Sequence, residues 1–224
     1  MSETVSEKQG AFYGRRKGKR LRSRQDELVR TLLPRLRLDP GGPLQGWQLR
    51  PVWLEIGFGG GEHLAAQARL HPEIGFVGCE PFVNGVAKLL GVIERDGIAN
   101  IRIWDDDATA LLDRLPPASI SRAYLLYPDP WPKRRHRKRR FLSSQNLAAL
   151  ARIMSAGAEL RFATDIDDYA GWALARILQS PAFRWTAERA DDWRRPWPDW
   201  PGTRYEAKAR GEQRSPVYLR FERI

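Results

Sequence analysis

A carboxylate fenced by two prolines, Pro128-Asp129-Pro130, lies between the aromatic residues Tyr127 and Trp131, and Pro132 closes the run. Seven of the next eight residues, Lys133 to Arg140, are Lys or Arg. Prolines fix φ and remove N–H donors, so they restrict the backbone that carries the acid. A fixed carboxylate can accept hydrogen bonds or stabilise a developing positive charge. The cations beside it form an anion-binding surface. The combination points to chemistry performed on a polyanion rather than to a protein that only holds one.

Three further acids have a related placement. Glu55 precedes the turn Gly57-Phe58-Gly59-Gly60-Gly61, Glu80 follows the apolar run that ends at Cys79, and Asp107, before Ala108, follows Ile101-Arg102-Ile103-Trp104. Glycines such as Gly57 and Gly59 let a backbone turn tightly and approach a ligand closely. A dinucleotide-binding turn would read G-x-G-x-x-G, but its last position here is Glu62, so that match fails. An acid at Glu55 repels a pyrophosphate and suits a cationic ligand such as the ammonium and sulfonium of S-adenosylmethionine. Glu80 can accept both hydroxyls of a ribose, and Asp107 can accept from an adenine amine.

These acids need a parallel sheet to bring them together, because ligands bind at the carboxyl ends of such strands. The pattern predicts strands at 52–56, 74–79, 101–104, 120–127 and 159–164. Helices are predicted at 62–70, 83–95, 109–115, 141–154 and 169–178. Alternation of this kind gives right-handed crossovers and helices on both faces. Two later strands, 183–186 and 217–221, are expected to add an antiparallel edge. The expected fold is α/β: a Rossmann-like class I methyltransferase fold with a mostly parallel seven-stranded sheet. A Rossmann dehydrogenase is the alternative. Residues 1–25 read as a basic flexible arm and 26–224 as a single domain. The stretch Asp39-Pro40-Gly41-Gly42-Pro43 reads as a loop.

Charge supports this organisation. The chain has 224 residues and a net charge of +11. Seven cations lie between Arg15 and Arg24 and seven between Lys133 and Arg140. Together they exceed the net charge, so the remaining body is mildly acidic. Two concentrated basic blocks suit RNA or DNA. The single cysteine, Cys79, allows no internal disulfide and reads as a buried packing residue. With His63, His71 and His136 it shows no metal-ligand spacing, so no metal is expected. No run approaches the roughly 18 apolar residues of a membrane span, and the N-terminus lacks a secretory core. A cytoplasmic location is the resulting expectation.

The turn from Glu55 to Gly61, the segment from Tyr127 to Arg140, Ala163-Thr164-Asp165 and Thr203-Arg204-Tyr205-Glu206 together resemble the bacterial tRNA (guanine-N7-)-methyltransferase family. The likeness runs from about Phe12 to the end of the chain. It implies methyl transfer from S-adenosylmethionine to N7 of a guanine in the variable loop of tRNA. Glu55, Glu80, Asp107 and Asp129 would contact the cofactor, together with Gly57, Gly59 and Ala108. Asp129 would be the catalytic residue, where methyl donor and acceptor meet. Lys133, Asp165 and Thr203, Arg204, Tyr205 and Glu206 would contact tRNA. Of the basic run, Lys133 and Arg134 would lie nearest the active site, and Arg135, Arg137, Lys138, Arg139 and Arg140 would spread over its rim. Tyr127, Arg204 and Tyr205 stand where the family often has Phe, Lys and Phe, and each keeps the ring or the charge. No obligate protein partner is expected, with the chain a monomer or homodimer.

The chemistry agrees with the residues. N7 of neutral guanine carries a lone pair and no proton, so no base is needed to expose the nucleophile. Asp129 is therefore expected to orient the purine and stabilise its developing positive charge. It can also accept from N1–H and the exocyclic amine, which selects guanine over adenine. The alternatives are a methyltransferase acting on another RNA base and a non-catalytic RNA-binding protein on the same fold. Trp193, Trp197 and Trp200 are expected mostly to pack, although aromatics beside arginines can also stack bases.

Overall fold

The structure, a computed structural model, describes residues 14–39 and 51–224. The loop expected at 39–43 lies mostly outside them. Seven strands form one sheet: β1 (Val52–Ile56), β2 (Gly75–Cys79), β3 (Ile101–Trp104), β4 (Ile120–Leu126), β5 (Met154–Thr164), β6 (Phe183–Trp185) and β7 (Val217–Arg223). Their order is β3-β2-β1-β4-β5-β7-β6. The first five run parallel, and β7 is antiparallel to both β5 and β6. The chain thus reverses the direction of strand addition at β1 and β4, which opens a crevice at their carboxyl ends.

The helices are α1 (Ser23–Thr31), α2 (Leu33–Leu36), α3 (Glu62–Leu70), α4 (Val83–Asp96), α5 (Ala108–Arg114), α6 (Ser144–Ile153), α7 (Asp167–Leu178), α8 (Asp191–Arg194) and α9 (Arg204–Gly211). Strand alternation divides the core into two layers. Leu54, Ile56, Val77, Cys79, Leu125 and Phe162 face a cluster that includes Leu111, Leu150 and Ile177. Trp53, Phe76, Ile103 and Tyr124 face the opposite cluster, with Leu64, Leu89, Leu90, Trp197 and Tyr218. Cys79 is fully buried, and burial pushes its thiol well up from its ordinary range. Among the described residues no helix is long and apolar enough to cross a membrane.

Four differences from the sequence-based expectation stand out. Residues 14–22, assigned to a flexible arm, lie against the start of α4. Val83 N–H donates to the Arg16 carbonyl (3.0 Å), Gly18 N–H donates to Asn84 Oδ1 (2.8 Å), and Asn84 Nδ2 donates to the Lys19 carbonyl (2.7 Å). The first of these satisfies an N–H that the first turn of a helix leaves open, and the other two are made by the Asn84 side chain. Helix α1 also begins inside the expected arm, and Leu28 enters the core. The helix expected at 141–154 starts at Ser144, capped by the Ser143 hydroxyl, and Met154 already belongs to β5. The basic run is itself a 3-10 helix, Arg134–Arg139.

Candidate active site

The turn after β1 is built by close backbone approach. Gly57 N–H donates to the Cys79 carbonyl (2.8 Å), and Gly61 N–H donates to the Phe58 carbonyl (2.9 Å). Gly57 and Gly59 have φ of 73° and 59°, a region costly for other residues. A methyl group at Gly57 would meet nothing within 4 Å, so the turn leaves an open cradle above it. Glu80 clasps this turn from the end of β2. Its Oε2 accepts from Gly59 N–H (2.7 Å) and its Oε1 from Phe82 N–H (2.9 Å). Burial raises the Glu80 carboxyl above its ordinary value, against these two hydrogen bonds, and the charge of Asp129 raises it further. A carboxylate offers about four acceptor positions, so two backbone donors leave capacity for hydroxyl donors. Asp107 caps α5, accepting from Thr109 N–H (3.0 Å), and Ala108 is buried behind it.

Glu55 lies deeper. It is 4% exposed, and its Oε2 meets Nδ1 of the buried His63 at 2.6 Å. One oxygen is therefore committed to the protein. His63 is a residue sequence reasoning did not connect to the site, although its position eight residues on, in the helix after the turn, places it beneath Glu55.

Asp129 is exposed beyond β4. The loop that holds it is strained, with φ of 48° at Tyr127 and 42° at Trp131. Such values persist only when the surroundings over-determine them. Tyr127 N–H donates to the Ala163 carbonyl (2.7 Å), and burial moves the Tyr127 phenol far above its ordinary value. Trp131 packs edge-on to His136, with the Arg139 guanidinium 4.9 Å above its ring. These contacts pack Trp131 against the basic helix.

The expected nucleic-acid contacts separate into two groups. Lys133, Arg134, Arg135 and Lys138 are exposed, while Arg137 and Arg139 are half-buried. Arg140 turns inward and is 2% exposed, which corrects its assignment to the rim. Its Nε donates to the Pro130 carbonyl (2.8 Å), and it pairs with Asp168, a partner the sequence did not reveal. Thr203 caps α9 by accepting from Glu206 N–H (3.0 Å). Arg204 and Tyr205 lie over Gly59, and Tyr205 stacks toward Tyr127 at 6.4 Å. Glu206 is a second correction, because it points inward at 7% exposure. It accepts from Trp200 Nε1, from Tyr218 (2.7 Å) and from Arg210 (2.7 Å). Burial pushes its carboxyl up, but these three donors outweigh burial and hold it below its ordinary value. Asp165 pairs with Arg214 (2.5 Å). Trp197 and Trp200 pack with Tyr218, and Arg161 and Arg122 beneath them pair with Asp199.

Residues 49–218 match a family described as a putative methyltransferase. The chain is 54% identical to a tRNA (guanine-N(7)-)-methyltransferase of Chelativorans sp. (strain BNC1), covering 96% of this chain and 95% of that one. It is 55% identical to the protein of the same name from Rhizobium meliloti (strain 1021), covering 95% of each chain. Among solved structures, the 16S rRNA methyltransferase KamB aligns with a TM-score of 0.61 at 17% identity, over 84% of this chain and 97% of that one. A 16S rRNA (adenine(1408)-N(1))-methyltransferase from Catenulisporales acidiphilia, solved as a mutant with its cosubstrate SAM, aligns with a TM-score of 0.54 at 14% identity. It covers 84% of this chain and 92% of that one. These structural likenesses establish the fold alone.

Proposed function

Because the chain belongs to the tRNA (guanine-N7-)-methyltransferase family, we propose that it moves the methyl group of S-adenosylmethionine onto N7 of a guanine in the variable loop of tRNA. The observation that carries this reading is the junction of two features. A glycine turn clasped by Glu80 meets a proline-fenced Asp129 at neighbouring strand ends, and a row of exposed cations follows directly.

The residues fit the cofactor. The open cradle at Gly57 and the partly desolvated carboxylate of Glu80 suit a ribose lying across the turn. Asp107 and Ala108, at the start of α5, suit an adenine. Glu55 lies buried beneath the turn, with one of its oxygens held by His63. The cofactor supplies an electrophilic methyl group. Asp129 receives the guanine edge, holds N7 in line and stabilises the positive charge that builds on the purine. No proton leaves N7, so Asp129 acts as an acceptor and a fixed charge rather than as a base. Lys133, Arg134, Arg135 and Lys138 hold phosphates, and Arg204 with Tyr205 forms the facing wall. A cytoplasmic location follows from the tRNA substrate.

The test is methyl transfer from labelled S-adenosylmethionine to unmodified tRNA, followed by digestion to nucleosides. Label in 7-methylguanosine is expected, falling on the order of 100-fold or more for Asp129→Ala. Label in another nucleoside would overturn the substrate assignment. A kinetic isotope effect on a base proton would overturn the role given to Asp129.

A further inference from the structure

The last cation of the basic run does not behave as a cation of a binding surface. Arg140 is buried, with its guanidinium 4.6 Å from the Tyr169 ring centre and 5.1 Å from that of Trp172. Nε donates to the Pro130 carbonyl at 2.8 Å, and Nη2 pairs with Asp168 in the first turn of α7. Nη1 is buried with no hydrogen-bond partner among the described residues. Enclosing a guanidinium in this way is unfavourable for stability unless it is paired. A solvent-facing cation in the same run bears no such penalty.

The loop explains what that arrangement achieves. Pro128, Pro130 and Pro132 remove the backbone donor from alternate positions, which halves the N–H groups able to tie the loop down, and that of Tyr127 is already spent on the Ala163 carbonyl. Its strained residues, Tyr127 and Trp131, flank it on both sides. Carbonyl oxygens are further backbone handles, and Arg140 holds that of Pro130, the residue after Asp129. Asp168 in turn holds Arg140 and also receives Arg137 from the half-exposed side of the basic helix. The hydrogen bond from Arg140, followed by the charges of both arginines, keeps the Asp168 carboxyl below its ordinary value.

We propose that Arg140 is a positioning residue for methyl transfer: it fixes the Pro128-Asp129-Pro130 loop through the Pro130 carbonyl, and Asp168 locks it in place. This inference rests on the role given to Asp129. It assigns Arg140 a task different from that of the exposed cations on either side of the loop. The exposed cations set affinity for the polyanion, and Arg140 sets the rate at which bound substrate reacts.

The full-length chain with Arg140→Gln and Arg140→Lys, beside Arg135→Gln, separates these tasks. For Arg140→Gln, kcat is expected to fall about 10- to 100-fold, the scale of a misplacement of about 1 Å. Its Kd for tRNA and the slope of log Kd against log salt should stay within about twofold of wild type. Hydrogen exchange in the peptide covering residues 126–133 should quicken. Arg140→Lys, which can reach one of the two acceptors, should recover part of the rate. Arg135→Gln should weaken binding and flatten the salt slope. If Arg140→Gln instead weakens binding and flattens the slope with kcat intact, Arg140 is a phosphate contact and the proposal falls. Unchanged kcat with unchanged loop exchange overturns it equally. Should Arg140→Gln fail to fold, Asp168→Asn keeps the arginine and removes its lock, and an unaltered kcat there rejects the proposal. If wild type methylates no tRNA, the functional reading fails. The exchange of 126–133 still decides whether Arg140 holds the loop.

Discussion

Replacing Gly85 with alanine should damage the cofactor site while leaving the fold nearly intact. Gly85 lies in the first turn of α4, and a Cβ built there falls 2.1 Å from the Gly59 carbonyl oxygen, 3.0 Å from its carbon and 3.4 Å from Glu80 Cγ. Ordinary contact distances require the helix and the glycine turn to separate by roughly 1 Å. The helix start cannot yield alone. Val83 and Asn84 are bonded to the segment at 16–19, and Phe82 is bonded to Glu80. The displacement is therefore shared with Gly59 and Glu80, the residues that form the cradle. A misplacement of about 1 Å costs on the order of 100-fold where alignment matters, so cofactor affinity should fall by about that factor. Stability should change little, because overpacking costs about 1–3 kcal/mol while alanine recovers about 1 kcal/mol of helix propensity. A net loss near 1 kcal/mol lowers Tm by about 2–4 °C in a chain of this size. Titration calorimetry with S-adenosylhomocysteine, read beside thermal melts, checks both numbers. Gly91→Ala in the same helix is the control. A Cβ there meets nothing within 4 Å, so Tm should rise by about 2–3 °C with affinity unchanged. Wild-type affinity in Gly85→Ala would refute the reasoning, as would an equal loss in Gly91→Ala.

Other outcomes follow from the charges. Affinity for tRNA should fall steeply with salt, and Arg135→Ala and Lys138→Ala should each reduce the slope by about 0.7–0.9 for each phosphate no longer neutralised, measured by filter binding across a salt series. Glu206 is held below its ordinary value of 4.5 by Trp200, Tyr218 and Arg210. Its contribution to stability is present above the unfolded value and is lost as pH falls through the lowered folded value. Thermal melts from about pH 6 down to pH 3 should therefore show an acid-induced loss of Tm that is shallower in Glu206→Gln.

The sheet was legible because its central strands are buried on both faces and read as short apolar runs, such as Val52-Trp53-Leu54 and Phe76-Val77-Gly78-Cys79. The acids at their ends followed from topology. Side-chain direction inside a charged run was not legible. Arg140 and Arg135 are the same residue type in one helical run, and only the tertiary neighbours Pro130, Tyr169 and Asp168 separate them. Glu206 was hidden similarly, because its donors Trp200, Arg210 and Tyr218 converge from three places in the chain. Helix α9 carries little apolar periodicity, with Glu206 and Ala209 its buried residues. The spacing Thr203-x-x-Glu206, a capping signature, was the local signal for its start. The docking of residues 14–22 depends on Asn84, 65 positions from Lys19, and no local pattern reports such a contact.

The two basic segments are fastened near opposite ends of the run of parallel strands. Arg16 is tied to Asp106, just beyond β3, and Arg137 to Asp168, just beyond β5. In the order β3-β2-β1-β4-β5 these strands are four spacings apart, roughly 19 Å at about 4.8 Å each. The two segments therefore stand apart like the jaws of a caliper, with the Asp129 loop, beyond β4, between them. A polyanion that touches both jaws at once must present phosphates at that separation. A limp strand must lose conformational freedom to do so, whereas a folded RNA has met that cost before it arrives. Size and shape would thus be gauged before any base is read.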